Sequence, residues 1–240
     1  MQFKAMILAA GRGERMRPLT DNLPKPLLKA GGQMLIEYQI NRLARAGFTD
    51  IVINHAYLGD MIESALGNGE RYGVQITYSP EYVVLETAGG IANALPLLTG
   101  FVDGECNRPF LVVNADIYSE FDYAGLMPAL RAVQKEEGNR LAHLVLVDNP
   151  AHHVEGDFTL NGDAVALNGE VKLTFSGIGI YHPALFDDVT PGQPAKLAPL
   201  LRAAMEEKKV TGEYFSGTWE DIGTPERLEQ LHGQLSERQG

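Results

Sequence analysis

The stretch Leu8-Ala-Ala-Gly-Arg-Gly-Glu-Arg-Met-Arg-Pro-Leu-Thr20 begins inside a short apolar run at residues 4–9. An apolar run of this length before a turn-rich segment predicts a buried strand. Gly11 and Gly13 permit backbone angles closed to other residues and let amide groups approach phosphate oxygens closely. We therefore expect a strand that leads directly into a phosphate-binding loop.

Four basic residues accompany these glycines: Arg12, Arg15, Arg17 and, after a short gap, Lys25 between two prolines. The prolines stiffen the chain around the lysine and favour a preset position for it. The loop matches neither the Gly-x-x-x-x-Gly-Lys-Ser/Thr motif nor the three-glycine dinucleotide fingerprint, so an oxidoreductase is disfavoured. An ordinary glycine-rich surface loop is the simpler alternative to a phosphate site.

The first half of the chain alternates strand patterns with helical patterns, which implies parallel strands joined by right-handed crossovers. The second half has shorter strand patterns and a hairpin turn at residues 161–163. We predict an α/β fold in which a doubly wound sheet has an antiparallel sub-region beside it. The predicted strands are residues 4–9, 51–55, 74–78, 110–114, 143–147, 157–160, 164–167 and 173–181, and the predicted helices are 34–46, 60–66, 88–98, 195–208 and the segment after 224.

Composition excludes several classes of protein. The 31 acidic residues against 20 Lys and Arg give a net charge of −11, which argues against a nucleic-acid partner. No apolar run reaches the roughly 18 residues of a membrane span, and the amino-terminal residues resemble a strand more than a signal peptide. The single cysteine, Cys106, excludes an internal disulfide and is typical of a reducing compartment, so we expect a cytoplasmic protein.

The loop at residues 8–20, together with Pro24-Lys-Pro26, closely resembles the signature of the sugar-1-phosphate nucleotidylyltransferases. The resemblance implies a GT-A-like, Rossmann-related mixed sheet flanked by helices, with a small antiparallel sugar-binding sub-region. It implies a single domain over residues 1–240, in which residues 1–142 mainly bind the nucleotide and residues 143–240 mainly bind the sugar and supply a second metal ligand. The implied reaction is attack of a sugar phosphate on the α-phosphorus of a nucleoside triphosphate, with release of pyrophosphate.

The same resemblance assigns roles to the residues of the loop. Arg15 matches the arginine that binds the triphosphate, and Lys25 matches the lysine that bridges the α-phosphate and the sugar phosphate. These two are the expected catalytic residues. The other expected nucleotide contacts in this region are Ala9, Gly11, Arg12 and Gly13.

Two aspartates are the expected ligands of Mg²⁺. The resemblance places Asp116 and Asp221 on that ion, and hard carboxylate oxygens suit magnesium, which also keeps waters and substrate phosphates. Taken alone, each aspartate is more typical of a turn or a helix cap. Ala115 stands where the family usually has glycine.

A second segment is expected to recognise the base. In the family, a Gln or Glu before a Gly-Thr-Ala-like turn contacts the pyrimidine edge, and the resemblance places Glu81, Thr87 and Gly90 there, with Glu86 where glycine is common. A carboxylate at position 81 can accept the N3 hydrogen of uracil or thymine, which cytosine lacks. The simpler alternatives are a solvated loop acid at position 81 and a helix cap at Thr87.

Segments such as Leu85-Glu-Thr-Ala-Gly-Gly90 and Thr174-Phe-Ser-Gly177 resemble the members of this family that transfer a uridylyl group from UTP to N-acetylmuramate 1-phosphate. The Glu-Lys-Pro segment common in the family is missing here. The expected sugar contacts are Asn114, Gly156 and Asp157, and Lys172 and Lys196 are candidates for binding a sugar carboxylate.

The expected partners are therefore small molecules, a nucleoside triphosphate and a sugar 1-phosphate, with no nucleic acid and no membrane, in a monomer or small homo-oligomer. Two alternatives stay open: an enzyme for mannose or glucose 1-phosphate with GTP or dTTP as donor, and a non-catalytic nucleotide-sugar sensor on the same fold. The pair His152-His153 lacks partners at metal-ligand spacing and is expected in an exposed loop, whereas Trp219 is expected in the core.

Overall fold

A computed structural model describes residues 3–99, 108–136 and 139–238. Cys106 lies outside the described residues. The strands are β1 Ala5–Leu8, β2 Lys29–Ala30, β3 Gln33–Met34, β4 Asp50–His55, β5 Gln75–Pro80, β6 Phe110–Asn114, β7 Ile117–Ser119, β8 Ala142–Val147, β9 Thr159–Asn161, β10 Ala164–Ala166, β11 Thr174–Tyr181, β12 Val210–Phe215 and β13 Trp219–Asp221. The helices are α1 Leu35–Arg45, α2 Gly59–Leu66, α3 Glu86–Thr99, α4 Met127–Lys135, α5 Leu197–Glu206 and α6 Pro225–Glu237.

Nine of the described strands form one mixed sheet in the order β5-β4-β1-β6-β11-β8-β12-β10-β9. The strands β5, β4, β1 and β6 are parallel, β11 runs antiparallel to both of its neighbours, and β12 is parallel to β8. The central strands are apolar along almost their whole length because both faces of the sheet are covered.

Helices pack on both faces of this sheet and complete two apolar cores. Along β1, Met6 points into one core while Ile7 points into the other, as the two-residue period of a strand requires. Helices α1, α2 and α4 cover the face of Ile7, and α3 and α5 cover the face of Met6. Helix α1 buries residues spaced three and four apart, so one apolar stripe faces the sheet.

The predicted α/β class and the mixed sheet flanked by helices are confirmed, and the hairpin at residues 161–163 joins β9 to β10 as predicted. The antiparallel part differs from the prediction. It continues the main sheet instead of lying beside it, because β11 pairs directly with β6. Six of these strands and helices were not predicted: β2, β3, β7, β12, β13 and α4.

A small ribbon joins the two halves of the chain. Strand β7 pairs antiparallel with β13, so that Asp221 lies opposite Ile117, and Ile222 N donates a hydrogen bond to the carbonyl of Asp116 at 2.8 Å. Helix α6 follows β13 and contacts β2. Within the described residues, none of the helices is both long enough and apolar enough to cross a membrane.

A buried hydrogen-bonded pair anchors this ribbon to α1. The side chain of Gln39, fully buried, donates to the carbonyl of Ile117 at 2.6 Å and accepts from the Tyr123 hydroxyl at 2.5 Å. Burial raises the pKa of Tyr123, so the hydroxyl stays a donor. We expect Tyr123→Phe to lower the free energy of unfolding by about 1–3 kcal/mol, since the Gln39 oxygen is left without a donor. Urea denaturation measures this, and a variant as stable as the wild type would contradict it.

Candidate active site

The carboxyl ends of the three central parallel strands meet at one edge of the sheet. Leu8 of β1 is in register with Asn54 of β4 on one side and with Asn114 of β6 on the other. Asn54 accepts a hydrogen bond from Ala9 N at 2.9 Å, which fixes the start of the glycine-rich loop. This edge is where ligands of open α/β sheets bind.

Three adjoining cavities open along this edge, and Asn114 lines all of them. The loop cavity, ≈ 270 Å³, is lined among others by Ala9, Gly11, Lys25, Glu81, Thr87 and Asp116. The β11 cavity, ≈ 330 Å³, is lined among others by Glu86, Thr87, Asp157, Phe175, Gly177 and Lys196. The carboxylate cavity, ≈ 360 Å³, is lined among others by Arg15, Asp116, His152, His153, Trp219 and Asp221.

Lys25 and Asp116 form an ion pair at the boundary of two of these cavities. The distance from Lys25 Nζ to Asp116 Oδ2 is 2.6 Å, and the lysine is 7% exposed. Pro24 precedes a short 3-10 turn that begins at Lys25, so the lysine backbone is fixed. The ammonium group is thereby held at the boundary between the loop cavity and the carboxylate cavity.

The glycine-rich loop folds back onto this lysine. Gly13 has a φ of 64°, and a Cβ there would lie 3.0 Å from Thr20 and 3.1 Å from Lys25. The Thr20 hydroxyl donates to the Gly13 carbonyl at 2.8 Å. Gly13 therefore serves the close packing of the loop and does not line the cavities.

Asp221 is held by two basic side chains. Arg227, near the start of α6, donates from one nitrogen to Asp221 Oδ1 at 2.6 Å and to its carbonyl at 3.0 Å. His152 Nε2 lies 2.7 Å from the same carboxylate oxygen. His152 lies in an exposed turn, as predicted, and it also faces the carboxylate cavity.

Glu81 is buried, which excludes the alternative of a solvated loop acid. Its two oxygens accept hydrogen bonds from Asn54 Nδ2 at 2.6 Å and from Leu85 N at 3.0 Å. Burial raises the pKa of Glu81, while these hydrogen bonds lower it. Gly90 lies directly behind this network, since a Cβ there would be 2.5 Å from Glu81 Oε1.

Helix α3 begins at Glu86, two residues earlier than a cap at Thr87 would require. Its first residue, Glu86, has a φ of 59°, a left-handed conformation that favours glycine. This conformation explains why glycine is common at this position in the family that the sequence resembles. Thr87 consequently lines the loop cavity and the β11 cavity instead of capping the helix.

A bulge in β11 shapes the middle of the site. Its pairing with β8 shifts between Phe175 and Gly179, and Gly177 in this interval has a φ of 79°. A Cβ on Gly177 would lie 2.6 Å from the side-chain nitrogen of Asn114, so only glycine lets Asn114 occupy its place. Trp219, which was expected in the core, is partly buried and packs against the core on the α1 face. It also lines the carboxylate cavity, where it donates to the Ser176 carbonyl at 2.9 Å.

Asp157 lies at the other side of this bulge. Its carboxylate accepts a hydrogen bond from Phe175 N at 2.8 Å and lies 3.1 Å from His153 Nε2. The neighbouring Gly156 has a φ of 62°, and a Cβ there would lie 2.7 Å from Asn149 Oδ1. Gly156 therefore allows the chain to pack closely beside Asp157.

The structure brings most of the predicted site residues to this edge. The residues that line the cavities are Ala9, Gly11, Arg15, Lys25, Glu81, Thr87, Asn114, Asp116, Asp157 and Asp221. Four predicted residues line none of the three cavities. Arg12 is exposed on the glycine-rich loop, and Gly13, Gly90 and Gly156 allow neighbouring side chains to pack closely against the backbone.

Sequence reasoning missed four residues of the site: Asn54, His152, Gly177 and Arg227. Asn54 carried a usable signal, since a polar residue near the end of a buried strand predicts a side chain at the ligand edge. His152 and Arg227 carried none, because their common partner Asp221 is distant in sequence.

Comparison with known proteins identifies the family. The model of the family described as nucleotidyl transferase matches residues 4–154, well over half of the chain. The chain belongs to this family. It is 52% identical over 232 residues to the N-acetylmuramate alpha-1-phosphate uridylyltransferase of Neisseria meningitidis serogroup B, covering 95% of this chain and 96% of that protein.

Two further matches cover nearly the full length of this chain. The chain is 34% identical to the N-acetylmuramate alpha-1-phosphate uridylyltransferase of Caulobacter vibrioides, covering 97% of each chain. A UDP-glucose pyrophosphorylase solved with UDP-glucose is 19% identical and has a TM-score of 0.74, covering 99% of this chain and 100% of that one. The latter likeness shows that the two proteins share a fold.

Proposed function

We propose that this nucleotidyltransferase transfers a uridylyl group from UTP to N-acetylmuramate 1-phosphate, giving UDP-N-acetylmuramate and pyrophosphate. The observation that carries the proposal is the 52% identity over almost the full length to the Neisseria uridylyltransferase. The geometry supports it, since Asn114 lines all three cavities, Asp116 lines two of them, and Lys25 pairs with Asp116. A place in peptidoglycan recycling in the cytoplasm is part of the same proposal.

In the proposed reaction, an oxygen of the sugar phosphate attacks the α-phosphorus of UTP. The bond from that phosphorus to the oxygen bridging the β-phosphate breaks, and its electron pair leaves with pyrophosphate. Both reactants are anions, so the residues that matter most are those that place positive charge between them. Lys25 supplies such a charge at the boundary of the cavities, and Arg15 lies beside the carboxylate cavity.

We propose Mg²⁺ as the metal, held by Asp116 and Asp221. The donor set fits: both carboxylates line one cavity, and the pairing of β7 with β13 brings their segments together. The described residues hold no cluster of three or more metal-ligating side chains, and magnesium needs only one or two carboxylates besides waters and phosphates. When bound, the ion would neutralise charge on the α-phosphate.

Each of these carboxylates already has one oxygen engaged by a cation. Asp116 uses Oδ2 for Lys25, and Asp221 uses Oδ1 for Arg227 and His152. The ion pairs restrain both side chains, so the opposite oxygens, Asp116 Oδ1 and Asp221 Oδ2, remain for a ligand. Arg227 thus acts as a positioning residue for Asp221, one of the two proposed metal ligands.

A matrix of donors and acceptors tests the proposal. Pyrophosphate release is measured with UTP, dTTP, CTP or GTP against the 1-phosphates of N-acetylmuramate, N-acetylglucosamine, glucose and mannose, with magnesium present. We expect the highest kcat/KM for UTP with N-acetylmuramate 1-phosphate. A higher value for GTP with mannose 1-phosphate would replace the proposal with the guanylyl alternative, and nucleotide binding without turnover anywhere would favour a sensor.

We propose that Glu81 reads the base by accepting the N3 hydrogen of uracil. Glu81 also accepts hydrogen bonds from Asn54 and Leu85 N, and glutamine cannot fill both positions because its amide has one acceptor oxygen. Glu81→Gln should therefore raise KM for UTP by about 10-fold, the effect of losing one charge-assisted hydrogen bond.

Steady-state kinetics with UTP and CTP measure this effect, and Glu229→Gln, at an exposed glutamate of α6, serves as the control for charge. An unchanged KM for UTP in a folded Glu81→Gln protein would show that Glu81 has no part in base binding. A thermal melt distinguishes the loss of base contact from the loss of the fold.

A further inference from the structure

Two of the expected sugar contacts, Asn114 and Asp157, line the β11 cavity, whose balance of charge is unusual for a site that would bind an anionic sugar. Three charged side chains line it, the carboxylates of Glu86 and Asp157 and the ammonium of Lys196. An anionic group that enters this cavity meets two like charges and one opposite charge. The position of the single ammonium group therefore decides where such a group is stable.

Lys196 combines a fixed backbone with a free side chain. It directly precedes α5, and the segment before it is tied to the beginning of α3: Ala195 N donates to the Leu85 carbonyl at 3.0 Å, and the Ala195 carbonyl accepts from Ala88 N at 2.9 Å. The lysine side chain is exposed and makes no hydrogen bond or ion pair with any residue the structure describes. Its charge is available to a ligand in the cavity.

Lys172, the other lysine that the sequence offered for this role, is placed differently. Its carbonyl accepts a hydrogen bond from Asn149, close to Gly156, and the residue lines none of the three cavities. The structure thereby distinguishes between two lysines that the sequence could not separate.

We propose that Lys196 binds the lactyl carboxylate of the acceptor and makes the enzyme select a muramic sugar over sugars that lack this group. The inference rests on the proposed function. N-acetylmuramate is N-acetylglucosamine with a lactyl ether on O3, so the two 1-phosphates differ by one carboxylate arm. Asp157 and Glu86 disfavour that carboxylate elsewhere in the cavity, and Lys196 offsets their repulsion at one point.

The test compares the activity on two acceptors in two variants of Lys196. Lys196→Met keeps the length of the side chain and removes its charge, whereas Lys196→Arg keeps the charge. We expect Lys196→Met to lower the ratio of kcat/KM for N-acetylmuramate 1-phosphate over N-acetylglucosamine 1-phosphate by about 10- to 100-fold, through KM of the muramic acceptor. Lys196→Arg should keep most of the ratio, and KM for UTP should report an intact nucleotide site.

Lys135→Met, at an exposed lysine in α4 that lines none of the cavities, controls for the loss of one positive charge. The inference is overturned if Lys196→Met leaves the acceptor ratio within about twofold of the wild type. It is also overturned if both acceptors lose activity equally, or if Lys172→Met instead carries the loss. Absence of wild-type turnover with the muramic acceptor overturns the proposed function and this inference together, whereas turnover with an insensitive ratio overturns this inference alone.

Discussion

Lys25→Met should lower kcat for nucleotidyl transfer by about 10²- to 10³-fold, the size of effect seen when one preorganised charge-stabilising donor is removed from an active site. The lysine is 7% exposed and ion-paired with Asp116, so its ammonium is held in place before the substrates bind. Methionine has nearly the same length and fills the same space. The loss should therefore fall on the transition state more than on substrate binding.

Rapid-quench measurement of pyrophosphate formation at saturating UTP and acceptor gives the rate of the transfer step. The matched control is Lys29→Met, which removes an exposed lysine of β2. Because the Asp116 side chain is 40% exposed, water can solvate the carboxylate that loses its partner, and the fold should persist. A kcat within about threefold of the wild type in a folded Lys25→Met protein would exclude Lys25 from the proposed chemistry.

The parts of the site that the sequence predicted are the local ones. The glycine-rich loop, the strand before it and the lysine between prolines lie within one short segment. The conformation and the charge of the loop can therefore be predicted from the residues of that segment alone. The same holds for Asn114 and Asp116, which follow an apolar strand pattern directly. A residue at the end of a buried parallel strand belongs to the ligand edge because of topology alone.

The parts that could not be predicted depend on contacts between distant segments. Strand β12 contains Gly212 and Glu213 and is partly exposed, so its pattern is weak, and it is a strand because it pairs with β8 and β10. His152 belongs to the site because it contacts Asp221. Position 177 requires glycine because the side chain of Asn114 lies close to it. The left-handed backbone at Glu86 also has no signal in its own residue type, since glutamate rarely adopts it.

Asp116→Asn should lower kcat/KM by about 10²- to 10³-fold and also raise the magnesium concentration needed for half-maximal activity. Asparagine keeps the shape of the side chain but replaces one carboxylate oxygen by an amide nitrogen, which neither accepts from Lys25 nor binds a hard cation. Two functions proposed for one carboxylate, holding Lys25 and holding the metal, are lost together.

A magnesium titration at fixed substrate concentrations separates these functions. Loss of the ion pair alone would lower the activity at every magnesium concentration by the same factor, as Lys25→Met is expected to do. Loss of a metal ligand moves the midpoint of the titration to higher concentration, and EDTA should abolish the activity of the wild type reversibly. Asp163→Asn, in the exposed turn between β9 and β10, is the control. If Asp116→Asn and the wild type share one magnesium midpoint, Asp116 positions Lys25 without binding the metal, and Asp221 would have to hold the ion with the substrate phosphates.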